Sequence, residues 1–103
     1  MMVQHFEFSD NITIGDKNVC FYCGKRCNTT ADHFFPKCRG GKLKVRCCLE
    51  CNLNKGNRIP EAWIIHNLNK LKNTENEQEI IKYEKIINAT QALLDKIILN
   101  HEY

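Results

Sequence analysis

At 103 residues with a formal net charge of +3, the chain is sized for one small domain, and domains this small often need a staple beyond their hydrophobic core. Seven cysteines are present, an odd number that fits a closed disulfide framework poorly. The opening residues Met1 to Glu7 contain no apolar leader, and no stretch approaches the ~20 apolar residues of a membrane span. The chain is therefore expected to be cytoplasmic, in a reducing compartment and free of membranes, with its cysteines serving as metal ligands or free thiols.

Residues 3–8 alternate between polar and apolar side chains, the period of a short strand. Ser9-Asp10-Asn11 is a turn signal and Ile12-Thr13-Ile14 a return strand, so residues 1–19 are expected to form an N-terminal hairpin over one side of the core. Cys20-Phe21-Tyr22-Cys23-Gly24 follows. Two cysteines two residues apart can aim both sulfurs at one ion, and the glycine lets the backbone fold back with positive φ. A second pair, Cys48-Leu49-Glu50-Cys51, completes a C-x2-C-x24-C-x2-C pattern with four thiolates for tetrahedral Zn²⁺. A redox C-x-x-C pair is the alternative, but it usually accompanies a βαβ pattern that is absent here. Cys47 adjoins Cys48 without sharing its spacing to Cys51, and Cys27 and Cys38 read as free residues.

Between the pairs, Thr29 to Phe35 reads as a strand ended by Pro36, and Gly40-Gly41 as a tight turn. Leu43 to Arg46 is the return strand, with Lys44 and Arg46 on one face and Leu43 and Val45 on the other. Asp32 and His33 fall on opposite faces of a regular strand; a bulge or turn would be needed to swing both into one pocket. After Cys51 a short helix is expected, with Asn52 and Lys55 three apart on one face and Gly56 as its C-cap. The segment 20–58 carries nine Lys or Arg against two acids, a charge of +7 inside a frame of −4. Such a basic centre points to a polyanion, nucleic acid first, although a solvated basic face would read the same way.

Pro60 suits the first position of a second helix and Glu61 its dipole, with Trp63, Ile64, Asn67, Leu68 and Leu71 facing inward. His66 reads as an ordinary helix-surface histidine. Asn73 to Asn76 is a polar break. A last helix is expected over about residues 77–99, with Ile80, Tyr83, Ile87, Thr90, Leu94 and Ile97 as its apolar stripe, widened by Ile81, Ile86, Leu93 and Ile98. A stripe that broad must be covered, either by the rest of the chain or by a homodimer through this helix.

Taken together, Cys20-x-x-Cys23, Asp32-His33-x-x-Pro36, Gly40-Gly41 and Cys48-x-x-Cys51-Asn52-x-x-Lys55-Gly56 resemble an HNH endonuclease over about 45 of the 103 residues. The resemblance implies an α+β fold: a small ββα-metal core at 20–58 held by a structural zinc on the four paired cysteines, flanked by the hairpin at 1–19 and two C-terminal helices at 59–103 in a single domain. It implies that His33 is the general base, and that Asp32 and Asn52 hold a catalytic Mg²⁺ or Mn²⁺ for hydrolysis of DNA phosphodiester bonds. That chemistry suits the residue types: imidazole accepts a proton from water near neutral pH, and one carboxylate with one amide oxygen suits a hard ion. Lys44, Arg46, Lys55 and Arg58 are the expected phosphate contacts. One position departs from the family pattern: a bracing asparagine five residues before the third zinc cysteine is replaced by Leu43. The alternative readings are a zinc-stabilised nucleic-acid-binding module without catalysis, and an interaction protein acting through its last helix.

Overall fold

The computed structural model describes residues 12–36 and 42–101. These form three short strands, β1 (Thr13–Ile14), β2 (Thr30–His33) and β3 (Lys44–Cys47), and three helices, α1 (Leu49–Lys55), α2 (Pro60–Lys72) and α3 (Glu77–His101). The result is a small α+β fold. The expected strand at residues 3–8 lies outside the described residues. Its expected partner, Ile12 to Ile14, does supply a strand: β1 pairs in parallel with β3, Thr13 opposite Lys44 and Ile14 opposite Val45, giving the sheet order β1-β3-β2. The Ile12 carbonyl accepts from Lys44 N at 2.8 Å, which fixes that register.

β2 and β3 pair antiparallel with Thr30, Ala31, Asp32 and His33 opposite Cys47, Arg46, Val45 and Lys44. Burial along β3 alternates as the sequence predicts, Val45 and Cys47 inward and Lys44 and Arg46 half-buried. The inward face packs into one core cluster with Tyr22, Phe34, Leu43, Trp63, Ile86 and the four paired cysteines. Aromatic edges knit it: Tyr22 meets Trp63 at 5.7 Å and 72°, and Phe34 meets Phe35 at 5.2 Å and 82°, geometries favoured by the ring quadrupole.

The loop before the first cysteine is held closely. Arg46 donates from Nε to Thr29 Oγ1 (2.9 Å) and from a terminal nitrogen to Thr29 O (2.8 Å), while Thr29 donates on to the carbonyls of Asp16 and Lys17. Gly15 passes against this strut with φ +114°, where an added Cβ would meet the Cβ and backbone N of Arg46 at 3.3 Å. The backbone region strains any side chain, and the space is tight enough that Arg46 would have to give by a few tenths of an ångström. Gly15→Ala is therefore expected to cost about 1–3 kcal/mol, read as a lowered urea midpoint with an unchanged denaturant slope.

Helix boundaries follow local chemistry. Cys48 is the N-cap of α1, so the second cysteine pair belongs to the helix start and α1 begins earlier than Asn52. Gly56 caps it at φ 54°, and Pro60 opens α2 as expected. Asn76 Oδ1 accepts from Gln78 N and Glu79 N at 2.9 and 3.1 Å and so starts α3. On α2, Trp63 and Asn67 are buried as predicted, but Leu68 turns outward at 43 % exposure. On α3, Ile86, Thr90, Leu93, Leu94 and Ile97 are buried, while Ile81 and Ile98 are exposed rather than widening the stripe. α2 packs along α3 and helps cover that stripe within the chain. No helix among the described residues is long and apolar enough to cross a membrane.

Candidate metal centre and the β2–α1 junction

The four cysteines predicted as ligands come together. Cys20, Cys23, Cys48 and Cys51 are all buried, and their Sγ atoms lie within 4.8 Å of one another. Cys23 Sγ and Cys48 Sγ are 3.9 Å apart; a tetrahedral zinc with Zn–S near 2.3 Å requires sulfurs separated by about 3.8 Å. Two local turns build the cluster. In the first, Gly24 at φ +78° lets its N–H return to Cys20 O (3.0 Å), and Cys23 N donates to Cys20 Sγ (3.3 Å). In the second, Cys51 N donates to Cys48 Sγ (3.4 Å) at the start of α1. The strand β3 brings the turns together, Phe21 N donating to Arg46 O at 2.8 Å.

Burial and mutual hydrogen bonds act unequally on three of these thiols. Hydrogen bonds from the Cys23 and Cys51 thiols pull Cys20 well below the ordinary thiol range. Their counterparts are pushed up, Cys23 to about 11 and Cys51 higher still, first because each bonds to Cys20 and further through burial. A dication at this cluster would let the thiols whose ionisation is opposed deprotonate as ligands. Cys47, inward on β3 with no exposure, stands outside the cluster, its thiol raised chiefly by burial. Cys27 is half-buried and also outside it.

A second set of residues meets between β2 and α1. Thr30 and Asp32 share the face of β2 turned to α1, and Asn52 and Lys55 share the facing side of the helix. Asn52 Nδ2 donates to Thr30 Oγ1 at 2.9 Å. Lys55 Nζ lies 3.2 Å from Asp32 Oδ2 and donates to His33 O at 2.8 Å. Tyr22 OH donates to the same Asp32 oxygen at 3.4 Å, and its phenol is held protonated by burial and by the Asp32 charge. Asp32 is 7 % exposed. Burial pushes its carboxyl above the usual range, and Lys55, then Tyr22 and His33, offset only part of that cost.

This geometry corrects one expectation, Lys55 as a phosphate contact, and keeps another, Asp32 and His33 on opposite faces of a regular strand. Lys55 is fully buried, so its ammonium braces Asp32 and the end of β2 and cannot reach a phosphate. Asp32 and His33 pair one-for-one with Val45 and Lys44 without a bulge, so they lie on opposite faces of the strand. His33, half-buried, shares its face with Lys44 and Arg46; among the described residues its side chain makes no hydrogen bond. Arg46 spends much of its guanidinium on Thr29. Arg58 is exposed and donates to Asn54 O. Leu43, where an asparagine was expected, is 1 % exposed, and its carbonyl accepts from Phe34 N at 2.9 Å, so backbone joins the strands there. Gly40 and Gly41 lie outside the described residues.

Sequence reasoning missed Tyr22 and Thr30 as partners of this junction. The signal for Thr30 was the two-residue strand period that sets it beside Asp32; Tyr22 carried no such signal, because only the knuckle's turn carries it under β2. No family model matches the chain, and neither does any curated protein or solved structure.

Proposed function

We propose that the chain is a small HNH-type metal-dependent endonuclease acting on DNA, carried on a zinc-held scaffold. The observation that supports it is the convergence on one strand of residues separated by about 20 positions: Asp32 and His33 end β2, and Asn52 is bonded across to Thr30 of the same strand. The cysteine cluster fits Zn²⁺ in number, burial and sulfur spacing. Among the described residues Asp32 Oδ1 and Asn52 Oδ1 carry no hydrogen bond, leaving one carboxylate and one amide oxygen, a donor set suited to a hard ion. Asp32 and Asn52 would hold Mg²⁺ or Mn²⁺, which when bound supplies charge neutralisation at the scissile phosphate.

The remaining work falls to the chain's own groups. His33 accepts a proton from the attacking water. Lys44, beside it across the ladder, and exposed Arg58 position flanking phosphates without reading sequence. Lys55 holds the His33 carbonyl and so fixes where the imidazole begins. His33→Ala is expected to abolish Mg²⁺- or Mn²⁺-dependent plasmid cleavage while zinc content and thermal unfolding stay unchanged; persistent cleavage would remove His33 as the base.

The regular ladder between β2 and β3 favours a second reading, since it sets Asp32 and His33 on opposite faces: a zinc-stabilised nucleic-acid-binding module without catalysis. That reading predicts salt-sensitive DNA binding and no cleavage with any divalent ion, so the same plasmid assay separates the two.

A further inference from the structure

A cavity of about 240 Å³ lies where α1, α2 and α3 meet. It opens on a different face of α1 from the β2 junction: Glu50 and Asn54 line it, whereas Asn52 and Lys55 face the sheet. Flat rings form part of its wall. His66 stacks on Trp63 at 5.7 Å and 13°, and Tyr83 stands on α3 with Lys82 Nζ 5.7 Å over its ring.

Polar groups are placed among those rings. Asn67 is 2 % exposed and spends Nδ2 on Trp63 O at 2.7 Å, which leaves its Oδ1 as an acceptor. Lys82 is paired with Glu50 at 3.2 Å. Lys70 lines the cavity and has no ion pair among the described residues. Trp63 Nε1 is the one buried side-chain polar atom among the described residues that finds no partner; it is sealed from the cavity and takes no part in the site. An apolar ligand would leave Asn67 Oδ1 and Lys70 stranded. A bare anion would use Lys70 but not the rings.

We infer that this cavity binds a nucleotide, the base against the His66 and Tyr83 rings with an edge at Asn67, and the phosphate at Lys70. Aromatic rings stack any base, and a lysine serves its phosphate as a point charge. A free mononucleotide and an unstacked nucleotide of a nucleic-acid strand present the same chemistry. The site shares no residue with the β2 junction.

Trp63 is the sole tryptophan of the chain, so its emission reports occupancy in the full-length, zinc-loaded protein. AMP is expected to change that emission saturably, with adenosine and inorganic phosphate each about tenfold weaker or more, the loss of one charge-assisted contact or of the stacking surface. Lys70→Glu, at an exposed position, is expected to weaken AMP binding about tenfold or more without altering the unfolding midpoint. A 5′-phosphorylated oligodeoxynucleotide that binds tighter than AMP, and loses that advantage in Lys70→Glu, identifies the strand as the source; AMP binding tighter than the oligonucleotide identifies a free nucleotide. No saturable response to AMP, inorganic phosphate binding as tightly as AMP, or an unaltered affinity in Lys70→Glu would each overturn the inference. His33→Ala keeps AMP binding in either case, so loss of cleavage and loss of this site are told apart.

Discussion

Removing the metal is expected to abolish the cooperative fold. Among the described residues, four of the fourteen buried apolar or cysteine side chains of the core are Cys20, Cys23, Cys48 and Cys51, and without a dication they are only a packed group of thiols. Structural zinc contributes about 10–16 kcal/mol in small zinc-dependent folds. That exceeds or equals the ~5–15 kcal/mol by which a whole domain is stable, so its loss leaves no margin. The damage runs outward from the cluster: the first turn positions Tyr22 under Asp32 and against Trp63, and the second is the beginning of α1 itself. α2 and α3 pack on each other and keep part of the helical signal. The expected result is one zinc per chain by metal analysis and, on chelation, loss of the unfolding transition and of the buried Trp63 emission. Cys51→Ala is expected to do the same at any zinc concentration that leaves the native chain loaded. An unfolding midpoint that ignores the chelator would show that the sulfurs are a packing cluster and not a metal centre.

Legibility in the sequence tracked how local each determinant was. The two C-x-x-C turns, the Pro60 helix start, the Asn73–Asn76 break and the alternation of Leu43 to Arg46 are set by neighbouring residues, and they appear in the structure where the sequence places them, with β3 running one residue further to Cys47. The parallel pairing of Ile12–Ile14 with β3 was not legible, because no short-range pattern tells a strand which edge it will join. Lys55 was misread for a related reason. Its charge is visible in the sequence, but its burial depends on Asp32 arriving from 23 residues away, and a buried lysine is rare unless paired. The opposite faces of Asp32 and His33 were legible from the two-residue strand period; the bond from Asn52 to Thr30 was not, because it depends on how α1 packs against β2.

The Asp32–Lys55 pair carries the largest single-residue effect expected outside the cysteine cluster. Lys55 has no exposed surface and Asp32 is 7 % exposed, so removing one partner strands the other. Asp32→Ala is expected to cost about 3–5 kcal/mol, leaving the Lys55 ammonium only the His33 carbonyl. Lys55→Met alone is expected to cost a similar amount, whereas Asp32→Leu with Lys55→Met recovers most of it, because a well-packed apolar pair costs no charge desolvation. The pH dependence has a definite sign. Burial raises the folded-state pKa of Asp32 above its ordinary 3.8, so the folded chain binds that proton more tightly than the unfolded one. Its contribution to stability is therefore fullest below 3.8 and declines as pH rises through the raised value. Lys55→Met removes the charge that partly offsets burial, so the decline becomes larger and extends to higher pH. Urea unfolding of the two single variants and the double variant across that range measures both effects. If Asp32→Ala left the midpoint unchanged yet abolished Mg²⁺- or Mn²⁺-dependent cleavage, the carboxylate would be a metal ligand free of any bracing role. If it lowered the midpoint and cleavage fell only with it, Asp32 would be a strut, and the module without catalysis would be the better description of the chain.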